Sequence, residues 1–185
     1  PLDRALEGIG APEVVHAHKI EPGTELLAGW SVEPLVVPPG TPLAGYGDRR
    51  GKPSEGYHDP IEIGALALGV SADTARDHVP AAIIVTSDLL VVPAPISDRV
   101  RDAVDAPILF TATHTHSGPG AAMRGLVARA FGGRYDPAVQ NAIVDTMVAV
   151  ARAAAQSMAP ATVRAGRADA PEYIRNRTRE KTAGY

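Results

Sequence analysis

Two apolar runs set the main constraint on this chain. Residues 81–86 read "AAIIVT" and residues 107–113 read "PILFTAT". Each is short and nearly continuous in apolar side chains, which suits a strand buried inside a sheet. Between them, residues 95–106 can form a helix, with Ser97 as its N-cap and Val100 and Val104 on one face. Strand, helix, strand in that order predicts a βαβ unit. An α/β fold follows: a mixed or mostly parallel sheet with helices packed on it. In such sheets functional groups gather at the carboxyl ends of the strands.

The remaining elements fit around that unit. Residues 26–32 and 35–37 read as strand, interrupted at Pro34. Residues 61–70, "IEIGALALGV", alternate well enough for another strand. Residues 38–60 form a loop dense in Gly and Pro, and a loop of that length is usually functional or mobile. Residues 71–79 read as a turn or short helix, and 121–133 as loop or short helix. The clearest helix covers 136–158. Asp136 caps it, Pro137 takes the first helical position, and Val139, Ile143, Met147, Val150 and Ala154 form one apolar stripe. Pro160 ends it, and 161–167 is a further strand candidate.

Composition narrows the chemistry. The chain has 185 residues, a net charge of −3, and no basic run, so a nucleic-acid surface is not expected. Cysteine is absent, so a metal site must be built from His, carboxylates or Tyr. No apolar stretch approaches the roughly 20 residues of a membrane helix. Aromatics make up only 4%, and no apolar loop for membrane contact is evident. The start shows no charged n-region followed by an apolar h-region, and the compartment stays open between secreted or periplasmic and cytoplasmic. The start lacks Met and the end, "RNRTREKTAGY", has no closing element. The chain is therefore expected to be a piece of a longer one: an N-terminal arm at 1–25, then the first portion of a catalytic domain at 26–185.

The second apolar run leads into "THTHSGPG" at residues 113–120. Alternate strand residues share a side, so His114 and His116 project together if the extended conformation continues, with Thr113 and Thr115 facing away. Such a pair can share a metal, or one imidazole can bind while the other handles a proton. Ser117-Gly118-Pro119-Gly120 forces a sharp exit and permits close backbone approach. His58 and Asp88 are candidates to reach the same site, Asp88 as a carboxylate orienting an imidazole. Equally, His58-Asp59 is a turn and Asp88 a cap. His16, His18 and His78 read as solvated or structural. Ser117 lacks the G-x-S-x-G context of a nucleophile elbow. The arginines near 175–179 are a solvated segment or bind a carbonyl or anion.

"ILFTATHTHSGPG" resembles the signature of the neutral/alkaline, non-lysosomal ceramidase family. Around it, "GTPLAGYGDRRGKPSEGYHDPIEIGALAL" is similar to the family's opening loop and strand. "AAIIVTSDLLVVP" is similar to its V-x-V-S-x-D-L-G strand, with Leu90 where Gly is usual. "NAIVDTMVAVARAAAQSMAPATVRAGRA" and "IRNRT" follow in the family's order. The likeness runs from about residue 26 to 179, and the compact opening looks more like the shorter bacterial members. The resemblance implies a zinc-dependent amidase, whose best-known members split ceramide into sphingosine and a fatty acid. It implies His114 as the zinc (Zn2+) ligand, His116 beside the metal on the substrate side, and Arg177 lining the site. His58 also falls on a family position. The family's second histidine ligand, its serine, and its glutamate and tyrosine ligands belong to later motifs that do not occur in this sequence.

The expected function is thus hydrolysis of an amide in a small-molecule or lipid substrate. Zinc would lower the pKa of a bound water toward about 7 and polarise the carbonyl. Two rival readings remain: a hydrolase of the same superfamily with a different ester or amide substrate, and a degenerate domain that binds a partner without catalysis. Oligomeric state is not legible.

Overall fold

A computed structural model describes residues 24–71 and 80–164. Five strands form one sheet in the order β4-β3-β2-β1-β5. They are β1 (Glu25–Pro34), β2 (Glu62–Ser71), β3 (Ala82–Ser87), β4 (Ile108–Ala112) and the short β5 (Ala159–Pro160). Three helices accompany them: α1 (Ala94–Ala103), α2 (Leu126–Gly132) and α3 (Pro137–Gln156).

The α/β class holds and the sheet is mixed. β3 and β4 pair in parallel with α1 as the crossover between them. The other pairings, β1 with β2, β1 with β5 and β2 with β3, are antiparallel. The βαβ unit is therefore a local parallel piece in a sheet that is mostly antiparallel.

One face of the sheet carries the core. Leu27, Ile63, Ala67, Ile83 and Val85 are buried there. Against them lie Ile96 and Val100 of α1 and Val139, Ile143, Met147, Val150 and Ala154 of α3. All five residues of the expected α3 stripe are buried, as a 3.6-residue period requires. The opposite sheet face shows Trp30, Val32, Leu66 and Leu109 to solvent.

Local chemistry explains the helix ends. Asp136 caps α3: its side chain accepts from the Ala138 N–H at 2.8 Å, and Pro137 follows in the first turn. Ser97 does not cap α1. The N-cap is Pro93, and Ser97 lies inside the helix with its hydroxyl donating to the Ala94 carbonyl at 3.3 Å. The helix begins earlier than expected because Pro93 and Pro95 preset the backbone angle of its first turn. The strand expected over 161–167 is also absent from its described part. β5 lies just before it and covers only Leu27 and Ala28 of β1.

α3 sits close to β1 because Gly29 has no side chain. A Cβ there would lie 2.1 Å from the Ala154 carbonyl and 2.6 Å from the Met158 amide nitrogen, both backbone atoms. Gly29→Ala is therefore expected to lower stability by about 1–3 kcal/mol or more, since backbone cannot rotate away as a side chain can. Urea unfolding monitored by circular dichroism measures this, with Val70→Ala on the exposed face as the near-neutral control.

Candidate active site

Parallel pairing brings the ends of β3 and β4 to the same edge. The Thr113 N–H donates to the Ser87 carbonyl at 3.0 Å, one step past the ladder. Residues 88–92 follow β3 and "THTHSGPG" follows β4, and the two segments stay in contact.

His114 departs from strand conformation, with φ at 59°. This left-handed backbone costs a non-glycine residue about 1 kcal/mol. The side chain is fixed there by a hydrogen bond. Its Nδ1 lies 2.8 Å from the Leu90 carbonyl oxygen, and since a carbonyl only accepts, Nδ1 carries the proton. Nε2 then keeps its lone pair, free for a metal or a proton. A backbone carbonyl on one ring nitrogen is the usual way a ligating histidine is oriented.

His116 lies 5.2 Å from His114, centroid to centroid, with the rings edge to face at 78°. The strand ends at Ala112, so a turn rather than strand alternation sets this pair. The His116 ring is held by the Gly/Pro loop. It packs on Tyr46 at 4.5 Å. A Cβ on Gly45 would lie 2.5 Å from its Cγ and Nδ1, and Gly45 has φ at 109°. Arg49 donates to the carbonyls of both Ala44 and His116, and its guanidinium lies 4.9 Å from the Tyr46 ring centroid. Nδ1 of His116 is buried with no hydrogen-bond partner among the described residues. Such an orphaned buried polar atom points to a missing ligand or water.

The Ser-Gly-Pro-Gly exit serves the protein's own packing. The Ala44 N–H donates to the Gly118 carbonyl, and Gly120 donates to Pro42. A Cβ on Gly118 would meet the Asp88 carbonyl at 2.6 Å, and one on Gly120 the Gly132 carbonyl at 2.1 Å. These glycines let three backbone segments meet.

Thr113 and Thr115 face the other way, into a separate cleft of about 640 Å³. His58, Asp88 and Ser117 line that cleft as well, while neither imidazole of the pair does. Asp88 accepts from the Glu62 N–H at 3.2 Å, so Leu90 takes the orienting role expected of it. His58 pairs with the adjacent Asp59 at 2.8 Å, both exposed. No group of three or more His, Asp or Glu side chains converges to hold a metal among the described residues. Arg177, His16, His18 and His78 lie outside the described residues. Sequence reasoning missed Gly45, Tyr46, Arg49 and Leu90; their signal was the "GYGDRR" segment inside a long loop with no element of its own.

The comparisons bear on family and fold. Residues 92–182 match the family model described as neutral/alkaline non-lysosomal ceramidase, N-terminal. That match covers just under half of the chain, and through it residues 92–182 are similar to the N-terminal part of the neutral/alkaline non-lysosomal ceramidase family. The fold is similar to the crystal structure of neutral ceramidase from Pseudomonas aeruginosa, with a TM-score of 0.62 and 20% identity over 74% of this chain and 22% of that one. It is also similar to a ceramidase complexed with C2, with a TM-score of 0.59 and 19% identity over the same shares. The chain thus spans about a fifth of these solved ceramidases, as the 22% coverage states. No curated protein sequence matches it.

Gly45→Ala is expected to push the His116 ring out of place and to leave the sheet intact. Imidazole nitrogen NMR checks this: the His116 signals should move while those of the exposed His58 stay. Unmoved His116 signals would contradict the packing described.

Proposed function

We propose that this chain supplies one side of the active site of a zinc-dependent amide hydrolase of ceramidase type. The observation that carries the reading is the hydrogen bond from His114 to the Leu90 carbonyl, which leaves Nε2 as a ready metal ligand beside a second imidazole. One histidine does not make a zinc site, and the described residues offer no third donor. The reading therefore places the remaining ligands outside the described residues.

A zinc ion held with His114 would supply polarisation of the scissile carbonyl and acidification of a water. The chain's own residues do the rest. His116, 5.2 Å from His114 between ring centroids and with its ring fixed by Gly45 and Tyr46, is assigned to donate a hydrogen bond to the developing oxyanion or a proton to the leaving amine. Arg177 is assigned a place lining the site, where its planar fork suits a carbonyl or carboxylate oxygen. Water adds across the C–N bond to give a carboxylic acid and an amine. The substrate class is an N-acyl lipid, of which N-acylsphingosine, cleaved to sphingosine and a fatty acid, is the type. The family match and the ceramidase likeness in fold support that choice.

In the intact protein, His114→Ala is expected to remove bound zinc and activity together. His116→Ala is expected to keep the zinc and to lower turnover by roughly 10²–10⁴-fold, the usual contribution of a positioned acid or base. Elemental analysis and hydrolysis of a panel of N-acyl amides and esters measure both. Full activity in His114→Ala would sink the metal assignment. Zinc absent from the parent protein would favour the non-catalytic reading, and a preference for esters the other-substrate one.

A further inference from the structure

Next to this site lies a surface of unusual composition. Residues 121–135 hold Arg124, Arg129 and Arg134 and no Asp or Glu, in a chain with 21 acidic and 18 basic residues. α2 occupies the middle of the segment and buries none of its residues. Leu126 is 86% exposed, Val127 74% and Phe131 49%. Lone exposed apolar residues are ordinary, but three on one short helix are not.

The helix is held at its C-terminal end, where Ala128 and Phe131 also face a small apolar pocket with Leu89 and Ile143. Gly45 donates to the Phe131 carbonyl at 2.8 Å, and Ala121 to that of Gly132 at 2.7 Å. The three arginines surround an open cleft with Leu126 and Tyr135, and Arg124 stacks over the Tyr135 ring at 4.0 Å. None of the three makes a salt bridge among the described residues. The neighbouring loop adds charge of the same sign. Gly51 packs on Gly133, so a Cβ on it would lie 2.9 Å from the Gly133 Cα, and the flanking Arg50 and Lys52 are exposed. Asp48 is the one carboxylate on the adjoining turn (Gly47–Arg49). That same loop carries Gly45 and Tyr46, which hold His116, so the patch borders the site.

We propose that α2 and its arginines dock on the head-group region of an anionic lipid bilayer. Leu126 and Val127 enter the acyl boundary, and Arg124, Arg129 and Arg134 bind lipid phosphates above it. Charge complementarity favours this occupant. A protein cover would need carboxylates for three guanidinium groups, and a nucleic acid would leave the apolar tip unburied. An apolar insertion combined with a basic patch is the pair of signals that reversible membrane attachment needs. This deepens the hydrolase reading, because the surface would present a bilayer-borne amide to the neighbouring site.

The test is co-sedimentation of the intact protein with vesicles of phosphatidylcholine containing about one third phosphatidylserine, against phosphatidylcholine alone. Binding is expected to the anionic vesicles and to weaken as salt rises. Each Arg→Gln change at 124, 129 or 134 should weaken it about fivefold. The double variant L126S/V127S should abolish it, with circular dichroism and melting temperature unchanged because both sites are exposed. Hydrolysis of a soluble short-chain amide should be untouched, and hydrolysis of the vesicle-borne one should fall in step with binding. Absence of anionic preference, or variants that bind as the parent does, would overturn the proposal. So would a lowered melting temperature in L126S/V127S, which would mean that other polypeptide covers α2. Binding is read without turnover, so failure of the hydrolase reading leaves it separately testable.

Discussion

Parallel pairing of β3 with β4 governs everything at the functional edge. Antiparallel neighbours would send one chain away from that edge as the other arrives. Here both leave the sheet at the same level, so the Leu90 carbonyl and the His114 imidazole are within reach of each other. That single hydrogen bond decides which ring nitrogen carries the proton. It also holds a histidine whose backbone is in the left-handed region, a local cost that the surrounding structure offsets. The loop before β2 then closes over the result. Gly45 leaves room for His116, Tyr46 packs against it, and Arg49 ties the two segments through their carbonyls.

The edge has two sides with different characters. One side holds the two imidazoles, next to the apolar and basic surface of α2. The other is a polar cleft lined by Thr113, Thr115, Ser117, His58 and Asp88. The turn after β4, with His114 in the left-handed region, puts the threonines in that cleft and leaves the histidines out of it. Neither imidazole of the pair lines that cleft.

Much of this was legible in the residues. The apolar runs at 81–86 and 107–113 and the stripe of α3 became β3, β4 and a buried helix face, because burial and periodicity are local signals. The sheet's mostly antiparallel pairing was not legible, since it depends on which strands meet across long stretches of chain. The His114 and His116 pair was visible as a pattern, but its geometry was not. Strand alternation predicted a shared direction; a left-handed residue and a distant carbonyl produced the actual arrangement. Asp88 and His58 had chemistry suited to a site and instead line the cleft with Thr113 and Thr115, Asp88 from the residue after β3 and His58 from the loop before β2. The exposed apolar tip of α2 left no sequence signal at all, since a buried short helix would read the same.

The central claim is that His114 offers Nε2 to a metal because Leu90 holds Nδ1. Diffraction from crystals of the intact protein at the zinc absorption edge tests it most directly. The account predicts an anomalous peak about 2.0–2.1 Å from His114 Nε2, with the contact between Nδ1 and the Leu90 carbonyl kept. A metal on Nδ1, or one seated in the cleft beside His58 and Asp88 with His114 unliganded, would contradict it.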